Sequence, residues 1–577
     1  MTTAYTAQHQ TKTTDAKPKP RYPRTEAARH VSHLRQARAV GAMSERAVAR
    51  EAGVPRSTLR HWNARRARLE AAGVPAFLET EEGIEWCERL VSAMLFVMSL
   101  RCPAGIRCIC EVLELSKLDA VVASSFGSVQ ALALKMLAEV DAAGSELQQQ
   151  LAETTANQER RRITVCEDET FHPDICLVAM EPASGFIVLE EYAARRDADT
   201  WTAAMNKALK GLPFDVVQAT SDDAKALKKH AKDGLQAHRS PDLFHVQHEL
   251  VKGLSLPLKK RQRDAERAVE RARAVVVKAR RKLAQSKKKG RLQTKTKACR
   301  ARLRDAKSTL EQAELEAHQA CADRDEASAA IRLISQAYHP YNLQTGAKRR
   351  AADVGELIDE AFRTLDGIAE HAGLTHRARG RIDKAWRVVE AMLDSITWAH
   401  TEMATRLSAL TLSQAEATAV HAKLMPGLYI ELAANKAKKA EDRHTLRATA
   451  AELLAEFDAA MTAQTGFDKS RRQALYASAR ESVLAFQRSS SCVEGRNGHL
   501  ALFHHGTHRL SRRKLRALTV VHNFHTRRAD GSTAAERLFR GRHVSLFERV
   551  LARLPSWPRP AKKRSAKRRA DGGQKCA

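Results

Sequence analysis

The residues best suited to chemistry in this chain are acids at the ends of short, β-branched runs. In RRITVCEDETFH, Ile163 to Cys166 reads as a strand leading into Glu167, Asp168 and Glu169, and strand alternation sends the middle acid to the face opposite its neighbours. A second run, DVVQAT, stops just before Asp222 and Asp223, at a carboxyl-terminal strand edge where open α/β sheets place their ligands. Phosphodiester transfer by two divalent cations needs such groups. Hard oxygen ligands from separate segments must hold two metals about 4 Å apart over the attacking and leaving oxygens. Taken singly, each acid has a plainer use, and Asp222 is placed to cap the helix AKALKKH.

The elements around these acids have a definite order. RRITVCEDETFH, DICLVAM and GFIVLEEYA read as three strands in meander order, separated by turn chemistry such as Pro182 and Gly185. A helix follows in DADTWTAAMNKALKGL, then the strand of PFDVVQATSDDAKAL running into a helix, then SPDLFHVQHELV as a last strand. Three strands, helix, strand, helix, strand is the order an RNase H-like mixed sheet requires.

The charge points to a polyanion. Lys and Arg total 98 against 67 Asp and Glu, a formal charge of +31 spread along 577 residues, and nucleic acid is the commonest partner of such a chain. A merely basic, ribosome-associated protein is the plainer alternative. Residues 28–75 contain a helix-turn-helix pattern, SERAVAREAGVPRSTLRHWNARRARLE. Ser44 is its cap and Gly53 its turn, and the second helix begins near Pro55. Val54, Leu59 and Trp62 would pack inward, leaving Arg56, Ser57, Thr58 and Arg60, with Arg65 in the Arg run beyond, as DNA contacts. Residues 81–150 read as a helical domain and a possible second DNA-binding module.

Residues 1–27 and 553–577 are polar, basic and Pro-containing, and are expected to be disordered arms. Residues 258–336 read as an antiparallel coiled coil. Val269, Val276 and Leu283 recur every seventh residue, as do Leu303, Leu310 and Ala317, with a fold-back at SKKKGR. Ten scattered cysteines form no CxxC pair; Cys108 and Cys110 are expected on a buried helix, and the chain reads as reduced and cytoplasmic. Leu90 to Leu100 is too short to span a bilayer, so no membrane partner is expected.

Together EDETFH, SDDAKALKKH, PDLFHVQHEL and, far downstream, SSSCVEGRNGHLALFHHGTHRLSRRKLRALTVVHNFHTRRADGSTAAERLF resemble the DDE-type transposases of bacterial insertion sequences. The similar subgroup carries a large all-helical insertion before the final Glu. The resemblance implies a multidomain, mostly α chain with an α/β core. The core would comprise residues 160–256 and 487–552, and the insertion 257–486. It implies a catalytic and metal-binding triad of Asp168, Asp222 and Glu494, two Mg2+ ions replaceable by Mn2+, and supporting roles for Glu169, Asp223, His245 and Asn497. The basic residues Arg496, Arg509, Arg512, Arg513 and Lys514 are then DNA contacts, with Ser511 capping the helix that carries the last of them. His504, His505 and His508 have zinc-like spacing but no third ligand, and read as DNA contacts or packing. The implied partners are double-stranded DNA, as transposon ends and target, and further copies of the chain in a dimer or larger complex. The basic tip SKKKGR would be within reach of a distant DNA segment. A DNA-binding regulator without catalysis and a nuclease of the same fold share most of these features.

Overall fold

The computed structural model describes residues 22–155, 159–171, 173–288, 293–462, 468–507 and 509–560. Helix α1 (Arg24–Ala39) packs on α2 (Glu45–Glu51) and α3 (Arg56–Ala71) around Val31, Leu34, Val48, Val54 and Leu59. The Ser44 hydroxyl accepts the Ala47 amide at 3.3 Å and starts α2. Gly53 turns the chain with a φ of +63°, a conformation that costs glycine little, and α3 begins directly after Pro55. Trp62 is half-buried, edge-on to Tyr22 with ring centroids 5.3 Å apart. The helical domain expected next comprises α4 (Glu81–Leu100), α5 (Ile106–Leu115) and α6 (Phe126–Thr155). On α5 the buried residues are Ile109 and Leu113, so Cys108, expected inside, is exposed: its position in the helical period faces away from the core.

The chain divides into two compact units, residues 1–143 with 544–577, and residues 144–543. The first unit is therefore discontinuous, and the expected disordered tail begins later than residue 553. Trp557 is 2% exposed, its indole N–H donates to the Ser92 hydroxyl at 3.1 Å, and the Ala123 amide donates to the Pro558 carbonyl at 2.8 Å. Arg24, inside the expected N-terminal arm, already lies on α1.

The second unit contains one mixed sheet: β1 (Arg161–Phe171), β2 (Ile175–Glu181), β3 (Phe186–Ala193), β4 (Phe214–Ser221) and β5 (His238–Pro241). Its order is β3-β2-β1-β4-β5, with β1, β2 and β3 antiparallel and β1, β4 and β5 parallel. The Glu181 carboxylate shapes the β2–β3 turn by accepting the amides of Ala183 and Ser184 at 3.0 and 2.6 Å. Helix α7 (Ala198–Leu209), capped by Asp197, leads from β3 to β4, and α8 (Lys225–Lys229) follows β4. The expected last strand is misplaced. The strand is the short stretch His238–Pro241, and Leu243–Leu250 is helix α9, capped by Asp242, because its apolar residues Leu243, Val246 and Leu250 repeat at helical rather than alternating spacing.

Helices α10 (Leu256–Lys288) and α11 (Gln293–Ala337) form the expected antiparallel hairpin. Val269 and Val276 are buried on α10, but the deep series on α11 is Ala306, Ala313, Ala320 and Ala327, with Leu303, Leu310 and Ala317 half-buried beside it. Part of SKKKGR lies outside the described residues. Seven helices, α12 to α18, follow between Ala351 and Ala485, and share a core that includes Ile334, Phe362, Ile396, Leu428 and Phe457. Then α19 (Ser491–Thr507) and α20 (Arg512–Phe524) return to the sheet. The Ser511 hydroxyl accepts the Lys514 amide at 3.3 Å as the cap of α20. At the sheet edge, the Asn523 amide accepts from Ile187 N at 2.9 Å and donates to Ile187 O at 3.0 Å, satisfying backbone groups of edge strand β3. Among the described residues, no helix is long and apolar enough to cross a membrane.

Trp557→Ala should destabilise the first unit by about 3–5 kcal/mol. Calorimetry should show an earlier transition, and an unchanged melting profile would refute the sealing role of Trp557.

Candidate active site

Register brings the first two acids together. Cys166 of β1 lies opposite Thr220 of the parallel strand β4, so Asp168 and Asp222, each two residues further on, reach the same edge of the sheet. Glu167 and Glu169 turn to the other face. Glu169 accepts the Trp201 indole N–H and the Arg196 guanidinium, each at 3.2 Å, and Glu167 is fully buried with His230 Nε2 3.3 Å from its Oε1. The pleat thus turns the Glu169 side chain, expected to support the site, to the face opposite Asp168.

An extended segment delivers α19 to this edge, pinned by side chains of the sheet. The Gln218 amide donates to the Gln487 carbonyl and accepts the Gln487 amide, both at 3.2 Å, and the Leu243 amide donates to the Arg488 carbonyl at 2.9 Å. Asp242 makes the firmest tie. It is buried, accepts the Phe244 amide at 2.8 Å as the cap of α9, and takes the Ser490 hydroxyl on its other oxygen. Sequence reading passed over Asp242. An Asp before a helix signals a cap, but nothing local signals a partner at Ser490.

On α19, Asn497 Nδ2 donates to Asp168 Oδ2 at 2.9 Å. Glu494, three residues earlier and 39% exposed, has its Oε1 3.9 Å from His245 Nε2, which is 3.7 Å from Asp242 Oδ2. Asn497 Oδ1 and His245 Nε2 are buried without a hydrogen-bond partner. Burial pushes the Asp168 carboxyl up to about 7, and the charges of Glu494 and Asp222 push the same way, against the Glu169 amide and His245. The three acids thus share one electrostatic neighbourhood. Among the described residues, no three His, Cys, Asp or Glu side chains stand close enough to form a ready-made metal cage.

Asp222 Oδ1 accepts the Ala224 amide at 2.9 Å, shaping the turn before α8. Asp223 is exposed and paired with Lys228 at 3.0 Å and Arg239 at 3.2 Å. Asp222, Asp223, Arg239, Asp242, His245 and Lys384 are among the residues lining an adjoining cleft of about 200 Å³.

The expected DNA contacts divide. Arg56, Ser57 and Arg60 are exposed on α3 and Thr58 is half-buried; Arg56 and Arg60 reach Glu45 Oε1 at 3.0 and 3.1 Å. Arg65 faces inward instead, 20% exposed and 3.7 Å from Glu79. Arg509, Arg512 and Arg513 are exposed. Lys514 is half-buried over the Phe503 ring, where burial lowers its ammonium to about 8. His508 lies outside the described residues, and the His504 and His505 rings are 5.6 Å apart.

Arg496 is no surface contact. Its guanidinium is 2% exposed and grips both oxygens of Glu190 on β3, at 2.7 and 2.6 Å, while the Thr519 hydroxyl donates to the same carboxylate at 2.5 Å. This charge-assisted, bidentate pair fastens α19 to the sheet two residues from Glu494.

Residues 420–566 match the model of a family of unknown function, DUF6399. No curated protein and no solved structure matches the chain.

Two stability effects follow from this geometry. A carboxyl raised from 3.8 to about 7 favours folding fully below its unfolded value, and that contribution is lost as pH rises through 7. Asp168→Asn should therefore stabilise the metal-free protein at pH 8 by on the order of 3 kcal/mol and give no gain at pH 4. Thermal melts at the two pH values test this, and an equal shift at both would refute it. Arg496→Ala should cost about 3–5 kcal/mol by leaving Glu190 charged and buried alone. A melt within a degree of the wild type would contradict that role.

Proposed function

We propose that this chain is a DNA transposase of the DDE type, with an RNase H-like core that cuts and joins DNA at Asp168, Asp222 and Glu494. The observation that carries the reading is the placement of three carboxylates from three separate segments in one electrostatic neighbourhood at the sheet edge. One stands on β1, one just past β4 and one on α19, which follows the long helical insertion. The sheet order, with β1 central and antiparallel to β2 but parallel to β4, supports an RNase H-like core.

The donor set suits a hard divalent cation. All three groups offer carboxylate oxygen, and a bound cation would offset both the burial that raises Asp168 and the added push from the charges of Glu494 and Asp222. When bound, two Mg2+ ions, or Mn2+, would supply charge neutralisation and activation of the attacking oxygen. The protein's own residues do the positioning. Asn497 fixes one Asp168 oxygen, while its own free oxygen can accept a proton donor from substrate or water. His245, between Asp242 and Glu494, can hold a proton at Nε2 facing a phosphate. The α3 face carrying Arg56, Ser57 and Arg60 would read the element ends, and Arg509, Arg512 and Arg513 would hold backbone phosphates without sequence preference. Water attack would free a 3′-hydroxyl, which would then attack target DNA, within a dimer or larger assembly that pairs two ends.

The test combines protein, Mg2+, a DNA fragment bearing the element's ends and a supercoiled target. Joined products support transposition, cleavage without joining indicates a nuclease, and a shift without cleavage indicates a regulator. Asp168→Asn, Asp222→Asn and Glu494→Gln should each lower cleavage by about 10²-fold or more while retaining DNA binding. Full activity in any one of them would remove that residue from the triad.

A further inference from the structure

The hairpin of α10 and α11 is electrically two different objects. Its base, residues 256–274 and 310–336, holds nine Lys and Arg against nine Asp and Glu. The charges there neutralise one another locally: Arg261 pairs with Asp323, and Arg273 with Glu314 at 2.9 Å. Beyond Arg273 the ion pairing stops. On the outer part, residues 275–287 and 293–309, eleven cations are exposed: Lys278, Arg280, Arg281, Lys282 and Lys287 on α10, and six more on α11. Asp305 is the single acid there, and among the described residues none of the eleven cations is paired with a carboxylate.

This polarity works against folding. Lys278 and Lys282 stand one turn apart, as do Arg300 and Arg304, and like charges at that spacing destabilise a helix. The seam beneath offers little in return, since its buried residues are Val276, Ala306 and Ser286, with Leu283 and Leu303 only half-buried beside them. The base of the same hairpin shows that acids fit between the two helices, so the outer charge is not a requirement of the coiled coil. Cations of both helices also converge: Val275, Lys278, Lys282, Cys299 and Arg302 line one groove of about 420 Å³. Among the described residues of this outer part, the large apolar side chains that are strongly exposed are Val275 and Val277, and none is an aromatic or leucine anchor for a bilayer.

We infer that the outer half of this hairpin is a separate binding surface for the phosphate backbone of duplex DNA, gripping it without reading its sequence. The helices rise 1.5 Å per residue, so α10 extends roughly 50 Å and its outer part roughly 20 Å, enough to follow about a dozen phosphates of a duplex. The identity of the polyanion as duplex DNA rests on the transposase reading; the charge arrangement does not. Such an arm would hold a second stretch of DNA, flanking or target, while α3 holds the element end.

The test uses the full chain and a random-sequence duplex of about 40 base pairs lacking any element end, titrated by fluorescence anisotropy from about 50 to about 300 mM KCl. One variant neutralises the outer arm: Lys278→Gln, Lys282→Gln, Arg302→Gln and Arg304→Gln. A control removes the same charge from the base: Lys259→Gln, Arg263→Gln, Arg267→Gln and Arg271→Gln. All eight residues are exposed, and circular dichroism checks the fold. The outer variant should bind about tenfold or more weakly, and its salt slope should fall by about 3.6, near 0.9 for each phosphate no longer neutralised. The control should keep the wild-type slope to within about 1. Equal weakening in both variants, none in the outer variant, or an effect confined to single-stranded RNA or anionic vesicles would each overturn the inference. Asp168→Asn carried alongside separates the two readings. If no chain cleaves DNA, the transposase reading fails, yet the outer and base variants still decide whether the arm binds.

Discussion

The Asp168 carboxyl is buried at the sheet edge within the electrostatic reach of Glu494 and Asp222, and the structure around that edge is organised to hold it there. Asp168 shows the cost directly, in a carboxyl driven up to about 7 by burial and by the charges of Glu494 and Asp222. The opposing ties come from groups that never need to touch a substrate. Gln218 and Asp242 pin the segment before α19, and Arg496 bolts the helix to Glu190 on β3. With the backbone fixed on both sides of Glu494, that side chain cannot relieve the repulsion by swinging its helix away. A buried ion pair is a poor general source of stability, but it sets a geometry that apolar packing leaves loose.

The same arrangement explains why the helical insertion is tolerated. Residues 256–485 leave the sheet after α9 and return as the extended stretch that carries Gln487 and Ser490 back to it. The Leu243 amide bonds to the Arg488 carbonyl, so the two ends of the insertion meet beside the acids. Closing so long a loop costs little more than closing one of half its length, because the entropic penalty grows only logarithmically. Its own apolar core then keeps the insertion folded.

Local chemistry was the legible part of the sequence. Ser44, Gly53 and Ser511 announced their caps and turn through interactions within three or four residues, and the strand alternation around Asp168 was correct. The misreadings share one cause, dependence on a distant partner. Arg496 looked like a surface base because Glu190 lies 306 residues away, and Asp242 did not stand out at all because Ser490 lies 248 residues away. β5 was mislocated because four residues ending in proline carry too little alternation to stand out beside an amphipathic helix. On α11 the leucines drew the eye, whereas the closest approach of two helices selects alanine, and alanine's period is hard to see in so alanine-rich a stretch.

The closure of the first unit by Trp557 bears on how the protein is made. A ribosome emits residues 24–143 early, yet the indole that fills the space beside Ser92 emerges only after every residue of 144–543 has been synthesised. Until then the first unit lacks the buried side chain that packs beside Ser92 of α4. Completion of the first unit's core is thereby tied to the prior synthesis of residues 144–543, and a prematurely terminated chain would leave that unit unsealed.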